Sequence, residues 1–196
     1  MDINRLQKQV DFIIEIDKLK DVYRQTFLIN GKRNENDAEH SWHIAMIAIL
    51  FQEYITDRSF DMARVLKMLL IHDLVEIDAG DTFAYDVEGN KDKKIREQAA
   101  AERLFGMLPS DQRDEFFELW NEFEKQITIE SKIARAVDCF QPILHNYKTE
   151  GRAWKHHHVT HSQVIKRNKH IADASPVLWK YAKNMIDDAL AKGYLE

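Results

Sequence analysis

A single cysteine, Cys139, serves all 196 residues, so no disulfide can form within the chain and no zinc site can be built on thiolates. Six glycines and three prolines are too few turn formers for a fold of many short strands. No uninterrupted apolar run reaches membrane-spanning length. The opening stretch, MDINRLQKQVDFIIEIDKLK, is charged throughout and lacks the apolar centre of a signal peptide, which makes the cytoplasm the expected compartment. A basic excess is also missing. The net charge is −5 with acids and bases interspersed, which weighs against a nucleic-acid partner. A small anionic substrate would then need a local basic pocket rather than a global field.

What remains is the composition of an ordinary soluble domain, 44% hydrophobic and 31% charged, long enough to bury one substantial core. No repeat, linker or composition shift divides it, so one domain is expected over residues 1–196. The periodicity is helical nearly throughout. Residues 3–20 read as an amphipathic helix, with Leu6, Val10, Ile13 and Ile14 at turn-like spacing. Residues 26–37, with Asn30-Gly31, read as a loop. Residues 40–54 read as a helix buried on most sides, and residues 60–72 as another, capped by Asp61. Residues 74–90 read as irregular. Helices are expected over 92–107, from a Ser110 cap to about 126, and over 129–147, the last kinked or broken at Pro142. A loop over 151–160 and closing helices over 161–172 and 175–192 complete an all-α chain.

Polar residues interrupt this pattern at particular places. His40 opens one apolar run in AEHSWHIAMIAILFQ, and His72 and Asp73 close another in LLIHDLVEIDAGD. Asp138 sits inside ESKIARAVDCFQPIL beside Ala136, Val137 and Phe140. Singly, each has an ordinary explanation as a cap, a solvated helix end or a wet helix face. Together they raise another reading. A carboxylate buried alone is expensive, and a cation shared with two imidazoles and a second carboxylate would compensate it. Such ligands suit Mn²⁺, Fe²⁺, Co²⁺, Ni²⁺ or Zn²⁺ better than Ca²⁺ or Mg²⁺. Four ligands on a six-coordinate ion would leave two positions for water and substrate.

The order His, His-Asp, Asp resembles the HD-domain metal phosphohydrolases. The phrases AEHSWH, IHDLVEIDAGD, RAVDCFQPIL and ALAKGYLE are similar to the branch containing bacterial 5′-deoxynucleotidases. The resemblance runs from LKDVYR to the C-terminus. It implies an HD-type helical bundle that removes phosphate from nucleoside 5′-monophosphates with metal-activated water. The alternatives are a phosphohydrolase for a non-nucleotide phosphomonoester, or a metal-stabilised binding protein without catalysis. By resemblance His40, His72, Asp73 and Asp138 are the metal ligands, Glu76 and Asp81 the acidic catalytic residues, Arg24 a phosphate-contacting arginine and Arg33 a second substrate-binding one. It also implies a homodimer. No histidine lies between Asp73 and Asp138, which favours one ion over the binuclear members.

The chemistry agrees with these assignments. A phosphomonoester carries about two negative charges, and Arg24 can clamp its oxygens with a planar fork. Glu76 can orient or deprotonate water, and Asp81 can protonate the leaving oxygen. Both can equally be loop carboxylates or supports for the histidines. The pattern departs at Gln25, where the family's nucleotidases carry a tryptophan that discriminates between sugars. Three further signals carry less weight. His43, three residues after His40, reads as a core or supporting residue, His156-His157-His158 as a solvated loop, and Trp154 as core.

Overall fold

The computed structural model describes residues 3–196, so the first two residues of the expected unit lie outside it. Helix α1 (Ile3–Ile16) tightens into a 3-10 turn over Asp17–Asp21. A short antiparallel hairpin follows, β1 (Tyr23–Phe27) and β2 (Asn34–Asn36), pairing Tyr23 with Asn36 and Phe27 with Asn34. The hairpin replaces the expected loop over 26–37. Asn-Gly is a hairpin turn signal, but YRQTF and NEN lack the apolar alternation that would mark the flanks as strands.

Asn36 ends β2 and caps α2 (Asp37–Phe51). Its side chain accepts from Glu39 N at 2.9 Å, while Glu39 accepts from Asn36 N at 3.1 Å. This box starts the helix three residues earlier than the apolar run suggests, and so adds Asp37 to the same face as His40. Helix α3 (Met62–Ile71) is capped by Asp61, as expected. The chain then winds into a 3-10 turn over His72–Val75 and a single turn, α4 (Glu76–Ala79), where an irregular loop was expected. Helix α5 (Lys93–Phe105) packs across that segment through Ala100, Ala101, Leu104 and Phe105. In α6 (Ser110–Lys125), Pro109 holds the cap position and Ser110 is the first helical residue.

Helix α7 (Ile129–Lys148) is the axis of the molecule. It starts at a Thr128 cap, runs through Pro142 without interruption, and packs against α2, α3, α6 and β1. The short α8 (Arg152–His156) lies inside the expected 151–160 loop. Helices α9 (His161–Asn168) and α10 (Ile171–Ala174) divide the next expected helix, and α11 (Pro176–Ala191) closes the bundle from its Ser175 cap. The all-α class holds, with the hairpin as its one addition among the described residues.

Two apolar faces point outward rather than in. Leu6, Ile13 and Ile14 of α1 are exposed and only Phe12 is buried, packed edge-on against Phe116 of α6 beside polar contacts such as Gln9–Gln112. On α2, Trp42 and Leu50 are 64% and 63% exposed, so this helix is not buried on most sides. No described helix is long and apolar enough to cross a membrane.

Candidate active site

The inward face of α2 carries Asp37, His40 and His43. The facing side of α7 carries Arg135, Asp138, Gln141 and His145. Spacings of three and four residues align each set along one side of its helix. The 3-10 turn after α3 inserts His72 and Asp73 between them. His40, His72, Asp73 and Asp138 therefore converge from three distant stretches. His40 Nε2 lies 3.1 Å from Asp138 Oδ1 and 3.9 Å from Asp73 Oδ2. His72 Nε2 lies 3.1 Å from Asp73 Oδ1 and 3.8 Å from Asp138 Oδ1. Donor atoms of His40, His72 and Asp73 all fall within 4.8 Å of one another.

The donor set fits a divalent transition ion. His72 Nδ1 lies 3.1 Å from the Leu69 carbonyl, an acceptor for its N–H, which leaves Nε2 as the atom directed at the cluster, where its lone pair can bind an ion. That buried Nε2 has no hydrogen-bond partner among the described residues, although two carboxylates face it. A lone pair opposite carboxylates suits a cation, not another acceptor. His40 is fully buried, with Nδ1 supported by Gln141 Oε1 at 3.3 Å and Glu35 Oε2 at 3.6 Å. Burial and the Arg24 charge push the His40 imidazole down, but Asp138, Glu35 and Asp73 outweigh them and raise it to about 9. Burial would raise the Asp138 carboxyl; the two imidazoles and Arg135 hold it well below the ordinary carboxylate range.

A ring of further charges surrounds this centre. Arg24 Nη1 donates to Asp37 Oδ1 and Asp73 Oδ2, both at 3.0 Å, and so ties β1 to α2 and to the turn after α3. Arg135 Nη1 donates to Asp138 Oδ2 at 2.9 Å, one turn along α7. Burial, then the neighbouring Asp73, raises Asp37 to about 7. Burial and then Asp73, Asp37 and Asp81 push the Glu76 carboxyl well above its ordinary value. Glu76 Oε2 has no partner, and Lys93 Nζ is 3.9 Å from its other oxygen.

A cavity opens onto the cluster. Arg24, Lys93, Arg135 and Arg167 bring positive charge to its wall, and Glu76 and Asp81 line it with His72, Asp73 and Asp138. Glu97, Glu124 and the cluster's own carboxylates line it too, so the wall is of mixed charge rather than the purely basic pocket anticipated for an anion. The Nε–H groups of Arg24 and Arg135 are both buried without an acceptor. Phe83, Tyr85 and Trp154 add aromatic surface to the same wall.

The structure does not bring Arg33 to this cavity. Its guanidinium is spent on Glu39 and the Asn34 carbonyl, it is exposed, and it does not line the cavity, because the hairpin turn carries it outward. The three adjacent histidines diverge. His157 bonds Gln25 at 3.1 Å and packs on Phe83 with ring centres 4.2 Å apart, whereas His158 pairs with Glu196. Asp37, Lys93, Arg135 and Gln141 were not singled out in the sequence. The i−3 and i+3 spacing of Arg135 and Gln141 about Asp138 is the signal that marks two of them.

The family described as HD domain matches residues 16–179. The 5′-deoxynucleotidase HDDC2 of Homo sapiens is 30% identical over 136 residues, covering 69% of this chain and 65% of that protein. Its Xenopus laevis counterpart is 31% identical over 123 residues, covering 63% and 57%. The chain thus spans less than two thirds of the length of these two relatives. A crystal structure described as a predicted metal-dependent phosphohydrolase from Magnetospirillum magnetotacticum MS-1 is 50% identical, with a TM-score of 0.94 over 98% of this chain and 96% of that one.

Proposed function

Since this chain belongs to the HD-domain family, we propose that it is a metal-dependent phosphohydrolase acting on nucleoside 5′-monophosphates. The observation that carries this reading is the buried His72 Nε2, left without a hydrogen-bond partner among carboxylates, in a residue that lines a cavity with Arg24 and Arg135, each of which has a buried Nε–H without an acceptor among the described residues. One orphan fits a cation and the others fit phosphoryl oxygens. The names of the relatives, 5′-deoxynucleotidase and metal-dependent phosphohydrolase, support the same assignment.

His40, His72, Asp73 and Asp138 would hold the ion, one of Mn²⁺, Co²⁺, Fe²⁺, Ni²⁺ or Zn²⁺. When bound, it supplies Lewis acidity, polarising the phosphoryl group and making water a better nucleophile. Arg24, fixed by Asp37 and Asp73, presents its Nε–H to a phosphoryl oxygen, and Arg135 does the same from the α7 side. Glu76 takes the proton of the attacking water and Asp81 gives one to the leaving sugar oxygen; the site resets when Glu76 loses its proton to solvent and Asp81 regains one. Phe83, Tyr85 and Trp154 offer flat apolar surface to a base. Gln25, bonded to His157 at the rim, stands where the family's sugar-selecting tryptophan would be, so we assign no preference for 2′-deoxy substrates.

The exposed stripe Trp42, Met46, Ile49 and Leu50 on α2 supports a homodimer. A free, buried Cys139 fits a reducing cytoplasm. The test is a panel of ribo- and deoxyribonucleoside monophosphates and sugar phosphates, with inorganic phosphate release measured in Mn²⁺ and Co²⁺. Release from nucleotides is expected. Release from sugar phosphates alone would replace the substrate assignment, and no release from any phosphomonoester would remove the enzyme reading.

A further inference from the structure

The two polar stripes of α2 and α7 do not end at the catalytic cluster. One turn further along, His43 faces His145, and Glu35 of β2 closes the group from the side. Donor atoms of these three residues lie within 4.8 Å of one another. His43 Nδ1 and His145 Nε2 are 3.3 Å apart. Two imidazole nitrogens bound to one tetrahedral zinc at roughly 2.0–2.1 Å would be separated by roughly 3.3–3.4 Å, so the spacing matches a tetrahedral edge.

The protonation pattern is also fixed in the required sense. His145 Nδ1 lies 3.1 Å from the Phe27 carbonyl, which places the proton there and turns the Nε2 lone pair of the neutral ring toward His43. Gln141 Nε2 sits among the group, 2.6 Å from Glu35 Oε1, 3.2 Å from His145 Nε2 and 3.4 Å from His43 Nδ1. An amide carries two N–H donors, and three acceptors face this one when the His43 proton is on Nε2, the tautomer that also frees Nδ1 for an ion. The other oxygen of Glu35, a residue only 1% exposed, has no hydrogen-bond partner among the described residues and faces His40 Nδ1 at 3.6 Å. A surplus of buried acceptors with too few donors is the arrangement a cation resolves. A groove edged by Leu28, Ile29, Asn30 and Trp42 opens onto His43 and His145, which gives an ion a way in from solvent.

We propose that Glu35, His43 and His145 form a second divalent-metal site, separate from the catalytic cluster and selective for ions of the zinc and cobalt type. Two imidazoles and one carboxylate are a poor set for Ca²⁺ or Mg²⁺ and a good one for tetrahedral Zn²⁺, with the fourth position open to the groove. The three ligands come from β2, α2 and α7, and the Phe27 contact adds β1. An ion there clamps the hairpin to the two helices that carry His40 and Asp138. Glu35 and Gln141 touch both sites, since each also faces His40 Nδ1.

The test titrates full-length protein with Co²⁺, reading bound ion by elemental analysis after desalting and coordination by visible absorption. Wild type, His43→Gln, His145→Gln and His72→Gln are compared. The expected result is that His43→Gln and His145→Gln each lose one equivalent together with the intense bands of tetrahedral Co²⁺. His72→Gln loses a different equivalent and keeps those bands. Because the bands are read in wild type and in His72→Gln protein, the site is tested even if a histidine variant at 43 or 145 fails to fold. Absence of tetrahedral bands in wild type, or unchanged stoichiometry in both folded variants, overturns the proposal. Unchanged stoichiometry in His72→Gln alone would count against the catalytic centre and leave this site standing.

Discussion

Replacing Glu76 by glutamine separates chemistry from folding. The side chain is buried, its volume is conserved in the substitution, and its Oε2 has no partner to lose. Lys93, 3.9 Å from Glu76, keeps a nearer partner in Glu97 at 3.3 Å. Glu76 stands among Asp37, Asp73 and Asp81, which together with burial push its carboxyl up. Glutamine places a neutral side chain there, the form that this environment favours. Stability should therefore change by no more than about 1 kcal/mol in either direction. Turnover should behave differently. Loss of a positioned general base costs about 10²- to 10⁴-fold, equivalent to about 2.7–5.5 kcal/mol of transition-state stabilisation. The assay is phosphate release at saturating nucleoside monophosphate, beside elemental analysis of bound metal and a thermal melt. A folded, metal-loaded Glu76→Gln enzyme with wild-type kcat would refute the base assignment. Loss of the ion from the variant would refute it too, by making Glu76 a ligand.

Three further outcomes follow from the same geometry. Arg24→Ala leaves Asp37 and Asp73 buried without their shared cation, and should cost about 3–5 kcal/mol in urea unfolding, toward the low end because Asp37 is already raised to about 7 and can take up a proton. Arg33→Ala removes only an exposed, solvent-screened pair with Glu39, so it should leave both Tm and kcat/KM close to wild type, whereas a fall in kcat/KM would place it in the substrate site. Saturating metal-stripped protein with Mn²⁺ or Co²⁺ at about a hundred times Kd should add about 2.7 kcal/mol, or roughly 5–10 °C in Tm for a chain of this size. An unchanged melt would mean that the folded state holds no ion.

The helices and the central cluster were legible because each rests on local signals. His40, His72-Asp73 and Asp138 are polar residues placed where the apolar period demands core, and burial forces them to find one another. The hairpin was illegible because its strands are stabilised by pairing and by Arg24 reaching inward, not by an alternating apolar face. The outward stripes on α1 and α2 have the period of buried faces, and period alone does not say whether another element covers them. The position of Arg33 was illegible for a related reason. The resemblance put it with the substrate residues, but the Asn30-Gly31 turn and the capping box at Asn36 swing it onto Glu39. The second histidine group was hidden because His43 and His145 lie 102 positions apart. Only the packing of α2 on α7 joins them.

The most direct measurement is anomalous diffraction from crystals of the full chain grown with Mn²⁺ or Co²⁺. The account predicts a peak within about 2.0–2.2 Å of nitrogen or oxygen atoms of His40, His72, Asp73 and Asp138 together. A metal bound elsewhere in a protein that still hydrolyses nucleotides, with this cluster holding only water, would contradict it.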